Sequence, residues 1–194
     1  LDDLLKQGKT KEYEIAKMNT NLWSKIDFSG NALYVSSYHK EKDFPVVNIS
    51  KAGAMLYCEW LTAKYNKENS LKTFFRLPLE SEWEYAASAG KATKDRIYPW
   101  YGKLCHNPKG CYFAQYKALG IKLGPAKVKS YFENDFGLYD MSGNVAEMVN
   151  DSNLVKGGHW DSNEEDIKIT SKGKYEISPL VGFRPVITFL VKNN

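Results

Sequence analysis

The chain has 194 residues, of which 43% are hydrophobic, 26% charged and 14% aromatic, with a formal net charge of +4. That length suits one domain with a sizeable core and is short for two, and the composition excludes disordered and fibrous classes. Its basic residues are interleaved with 23 acidic ones and form no stripe, and no apolar run approaches the roughly 20 residues of a membrane span, so neither a nucleic-acid partner nor a spanning helix is expected.

Residues 1–43 read as a polar N-terminal segment, with turn chemistry at Ser29-Gly30-Asn31 and an apolar patch at Ala32 to Val35. Residues 44–194 read as the domain proper, undivided by any repeat or low-complexity linker. The run FPVVNIS (Phe44 to Ser50) is extended, and Ser50 stands as an N-cap for KAGAMLYCEWLTAKYN. In that stretch Ala54, Tyr57, Cys58, Leu61 and Tyr65 recur at helical spacing, which makes Cys58 a small core residue. A second helix is predicted at SEWEYAASAG, introduced by Arg76-Leu77-Pro78 and ended by Gly90, with Trp83, Ala86 and Ala87 on one face. After Gly90 the periodicity fails: YPWYG is an aromatic turn, and loops run to Lys127. Short apolar runs resume at Val128 to Phe132, Leu154 to Val155, Ile167 to Thr170 and Val186 to Val191, the last two with strand-like composition. The expected class is α+β, with two main helices, short strands and much irregular loop. Cys58, Cys105 and Cys111 are odd in number, so at most one internal disulfide is open to them, and Cys105 and Cys111 read either as a loop disulfide or as two unrelated thiols.

Six segments follow one another in order: FPVVNISKAGAMLYCEW, FRLPLESEWEYAASAG, YPWYG, NDFGLYDMSGNVAEMVND, VKGGHW and VGFRPV. Together they resemble the formylglycine-generating enzyme, or sulfatase-modifying factor, family over residues 44 to 188, which implies a single domain of that fold, related to C-type lectin-like domains. Within these motifs Gly137, Gly143, Gly157, Gly158 and Gly182 read as positions of positive φ or close backbone approach. Trp83, Trp100 and Trp160 read as core or loop anchors, and Arg76 and Arg184 as partners of carboxylates or loop carbonyls.

The family's enzymes oxidise a substrate cysteine with dioxygen and, as the resemblance implies, a copper ion held by two thiolates, the natural ligands of Cu(I). By register from Trp160, those two positions are Ser162 and Ile167. Neither replaces a thiolate, so no catalytic residues and no copper are expected. His159, followed by Asp161, Glu164, Glu165 and Asp166, reads as a hydrogen-bonded or exposed histidine rather than a base or metal site. The resemblance also implies one calcium ion through Asn144 and Glu147. A second family calcium site falls where this chain has FAQY, with Gln115, and is expected to be lost.

Ala146, where the enzymes usually carry Trp, and the missing cysteine pair resemble a non-catalytic branch that includes gliding-motility lipoproteins of the Bacteroidetes. That branch implies a protein-binding or structural role in an extracytoplasmic assembly, with other envelope proteins as partners, no nucleic acid, and membrane attachment only through a lipid anchor upstream of Leu1. The alternatives are a ligand- or glycan-binding module and a copper-dependent formylglycine-generating oxidase.

Overall fold

The computed structural model describes residues 1–19, 42–69, 72–118 and 124–190. The turn at 29–31 and the apolar patch at 32–35 lie outside them. Two short helices, α1 (Asp2–Lys6) and α2 (Thr10–Ala16), lead to the longer α3 (Lys51–Asn69). Ser50 opens α3 as its sequence position suggests: the hydroxyl accepts the Gly53 N–H at 3.0 Å, satisfying a donor that the first helical turn leaves free. The same hydroxyl donates to the Ile15 carbonyl at 3.2 Å. Together with Asn19 N–H on the Asn48 carbonyl, this fastens the N-terminal helices to the start of α3. Gly53 permits the approach, since a Cβ there would stand 2.7 Å from the Ile15 oxygen. Ala54 and Cys58 face inward as expected, whereas Tyr57 is 42% exposed and lies off the buried face.

Strand β1 (Thr73–Arg76) follows, then α4 (Glu80–Ala87). Gly90 closes α4, its N–H reaching the Tyr85 carbonyl at φ +73°. The remaining strands are β2 (Ala146–Met148), β3 (Leu154–Lys156), β4 (Gly173–Lys174), β5 (Val181–Gly182) and β6 (Val186–Phe189), with a 3-10 turn at Glu164–Ile167. Of the two runs with strand-like composition, Val186 to Val191 supplies β6, while Ile167 to Thr170 forms no strand, and the apolar run Val128 to Phe132 forms none either. Ile167 ends the 3-10 turn, and Ile167 and Ile169 each fill core space. Short apolar runs do not distinguish a strand from a buried loop.

β1 pairs antiparallel with β6, and the other four strands form a sheet in the order β4-β3-β2-β5, with β2 and β5 parallel. Register divides the sheet into two faces. Ala146, Met148, Val155 and Val181 share one, packed with Ala54 and Cys58 of α3. Glu147 and Lys156, directly opposite each other, share the face that meets Trp83 of α4. The sheet is thus held between the two main helices, and its central strand β2 is entirely buried. No helix among the described residues is long and apolar enough to cross a membrane.

The 105–113 segment forms a third cluster. His106 and Tyr112 make an antiparallel bridge, with Phe113 N–H on the Cys105 carbonyl and Asn107 N–H on that of Cys111. Cys105 and Cys111 therefore sit two positions out of register, and both are free thiols, Cys105 buried and Cys111 exposed.

Candidate functional site

Two of the motif residues, Trp83 and Arg184, converge on β2. Glu147 at its centre is 5% exposed, and its two oxygens accept four hydrogen bonds. Arg184 supplies three of them through Nε and Nη2, at 2.7 to 3.1 Å, and Trp83 Nε1 donates the fourth at 2.8 Å. Arg184 Nη2 also donates to the Tyr139 carbonyl. Lys156, on the same face of the sheet, is fully buried, paired with Glu84 at 2.7 Å and Glu80 at 3.5 Å, its Nζ 5.9 Å from the indole centroid. Trp83 thus touches both ion pairs, Glu147 at its N–H edge and Lys156 over its ring. Arg76 makes a bidentate pair with Glu82 at 2.6 Å, while Glu82 also takes the Leu79 N–H. The guanidinium holds the Glu82 carboxyl down at about 2. Trp100 stacks on Tyr98 with centroids 5.0 Å apart, and its Nε1 donates to the Leu104 carbonyl. Trp160 is buried, its N–H on the Asn144 carbonyl. Gly143, at φ +70°, lies so close to Gln115 that a Cβ would fall 2.2 Å from that residue's carbonyl oxygen.

Asn144 and Glu147, the calcium pair expected from sequence, hold separate partners. The Asn144 amide is closed on the backbone of Ala126, accepting from its N–H at 3.0 Å and donating to its carbonyl at 3.3 Å. Asp140, which sequence reasoning passed over, is the residue with an unspent oxygen. Its Oδ2 accepts the Lys129 N–H at 2.8 Å, but Oδ1 is buried without a partner. Burial pushes the Asp140 carboxyl above its ordinary range and the Glu147 charge adds to this, against the Lys129 N–H and Arg184. Asp140 and Glu147 line one cavity of about 370 Å³ with Asn144, Val145 and Arg184. Of these side chains only Asp140 keeps a free oxygen for a hard cation, since Arg184 and Trp83 occupy Glu147 and Ala126 occupies Asn144. Among the described residues no group of three or more His, Cys, Asp or Glu is placed to hold a metal ion, so backbone carbonyls and water would complete the set. Gln115 has other duties: Nε2 donates to the Gly124 carbonyl and Oε1 accepts from Tyr131.

Ser162 and Ile167 are built into the interior. The Ser162 hydroxyl accepts the His159 N–H at 3.0 Å, and Ile167 is fully buried beside Tyr98, Cys105, Ala114 and Tyr116. Burial lowers the His159 pKa, so the ring is neutral, and Nδ1 accepts the Asp161 N–H, which puts the proton on Nε2. The buried thiols are unsuited to copper, for burial pushes Cys58 up to about 11 and Cys105 up to about 12. Before His159, Asp161, Ser162 and Asp166 lies a depression of about 240 Å³, lined also by Ala146, Val155, Gly173 and Val181 of the sheet.

The family model described as the sulfatase-modifying factor enzyme 1-like domain matches residues 4–189. The chain belongs to this FGE-sulfatase family. The match takes in the end of α1 and all of α2 as well as the motif region. An inactive C-alpha-formylglycine-generating enzyme 2 from Bos taurus is 31% identical over 138 residues, which is 64% of this chain and 41% of that protein. A formylglycine-generating enzyme from Mus musculus is 31% identical over 125 residues, 60% of this chain and 29% of that one. The FGE-sulfatase chain thus spans well under half the length of these relatives. Among solved structures, PvdO from Pseudomonas aeruginosa superposes with a TM-score of 0.60 at 22% identity, over 76% of this chain and 63% of that one, which supports the fold.

Proposed function

We propose that this FGE-sulfatase domain is a non-catalytic recognition module that binds another protein within an extracytoplasmic assembly of the gliding-motility or secretion type. One observation carries the reading: the two positions at which the resemblance puts copper thiolates are a hydrogen-bonded serine and a fully buried isoleucine. Neither Ser162 nor Ile167 can present a soft ligand, and the nearest thiol in that cluster, Cys105, is buried and held protonated. A relative whose name carries the word inactive supports it. The test is incubation with copper and a cysteine peptide of the sulfatase type, with aldehyde as the readout. No aldehyde above a metal-free control is expected, and aldehyde formation would establish the copper-oxidase alternative. Co-purification of full-length protein from native membranes, with a lipid anchor and envelope partners recovered together, tests the placement.

One calcium ion belongs to the same proposal, entering at the free Oδ1 of Asp140 in the cavity that Asn144 and Glu147 also line. Its role there is structural, offsetting the charge of Asp140 next to Glu147 and fixing the turn that carries β2. Calcium should raise the melting temperature of the wild type and not of D140N. The ligand-binding alternative is favoured by the depression before His159, whose Nε2–H is left as a donor at its wall. Specific hits on a glycan and peptide array that disappear on H159F would support it.

A further inference from the structure

Arg96 is buried to 4% exposure, and only one of its three guanidinium nitrogens is used. Nη1 donates to the Ser88 carbonyl at 3.2 Å and to Asp135 Oδ2 at 3.0 Å, while Nε and Nη2 are both buried without an acceptor. Leaving donors of a charged group unmet inside a protein is costly, and such groups require an explanation. The chain contains a comparison. Arg184 uses the same Nε and Nη2 edge to grip both oxygens of Glu147. That edge matches the geometry of a two-oxygen anion.

The surroundings leave room in charge as well. Among the described residues Asp135 is the one carboxylate paired with Arg96, and Lys91 lies within electrostatic reach of the same carboxylate. Tyr101 lies over the guanidinium: its ring centroid is 4.2 Å away, its hydroxyl donates to Asp135 Oδ2 at 2.8 Å, and the residue is 73% exposed. A ring so exposed can swing out at the cost of one cation–π contact and one hydrogen bond.

We propose that Arg96 is an anion site, taking a carboxylate or sulfate-like oxyanion on its Nε and Nη2 edge beneath Tyr101. This is independent of the cavity holding Asp140 and Glu147 and of the depression before His159. The chain has only three arginines, Arg76, Arg96 and Arg184, so ¹⁵N-labelled protein gives three Nε–H signals, two of them from guanidinia already paired with glutamate. Sodium acetate, sodium sulfate and a short capped peptide containing glutamate are titrated separately at constant ionic strength, with R96K assigning the signal. The expected result is a saturable shift of the Arg96 signal alone, and the titrant that produces it says whether the oxyanion is free or protein-borne. In Y101A saturation should come at a concentration about threefold lower or less, the change expected from removing a cation–π roof. An Arg96 signal that stays still, or drifts linearly together with Arg76 and Arg184 in all three titrations, would overturn the proposal.

Discussion

Replacing Arg184 by methionine tests the centre of the molecule. Glu147 is 5% exposed and would retain only the Trp83 N–H among its present side-chain donors. Removing one partner of a buried ion pair costs about 3 to 5 kcal/mol, chiefly because the remaining charge is stranded. The Arg184 side chain is itself 30% exposed, so water reaches part of the vacated space and the lower end applies, about 3 kcal/mol. For a domain of this size that corresponds to a melting temperature lower by about 6 to 12 °C. Urea unfolding followed by tryptophan fluorescence in EDTA measures the loss without interference from calcium. The double variant E147M/R184M should recover much of it, because no charge is then stranded. A loss below about 1 kcal/mol for R184M at unchanged urea dependence, or a double variant no better than the single, would refute the account of Glu147 as a charge dependent on Arg184.

Acid should act on Glu82. Its folded pKa, about 2, lies below the ordinary 4.5, so the stability it contributes is complete above 4.5 and is lost as pH falls towards 2. The difference between wild type and E82Q in unfolding free energy should therefore shrink across that window and vanish below it. G143A should lose at least about 3 kcal/mol in the same denaturation assay, from the left-handed backbone and the 2.2 Å approach to Gln115 together. Thiol titration with an aromatic disulfide reagent should find one fast group in the native protein, Cys111, and three after unfolding; a fast Cys105 would contradict its burial.

Much of the scaffold was legible because its signals are local. Ser50 caps a helix three residues away, Gly90 ends one, and Trp83 lies on the apolar stripe between Arg76-Leu77-Pro78 and that glycine. The motif arginines read as carboxylate partners, and the structure gives each a glutamate: Glu82 six residues from Arg76 and Glu147 far from Arg184 in sequence. Asp140 escaped notice for a physical reason. An aspartate in a turn ordinarily reads as a turn residue, and only the packed structure reveals that one oxygen is buried without a donor. Asn144, chosen instead, has a side chain whose partner at Ala126 is unforeseeable from spacing. The strands at Gly173–Lys174 and Val181–Gly182 are two residues each, too short for any alternation to register.

The pairing of β1 with β6 joins residues 73–76 to 186–189. On a ribosome, β1 emerges roughly 110 residues before the strand that completes it, and the guanidinium that neutralises Glu147 is also among the last groups to appear. The nascent domain therefore carries an open strand edge over that whole interval, and an unanswered carboxylate for the 37 residues that separate Glu147 from Arg184. Closure of that edge and neutralisation of Glu147 both wait on the one short segment from Arg184 to Phe189.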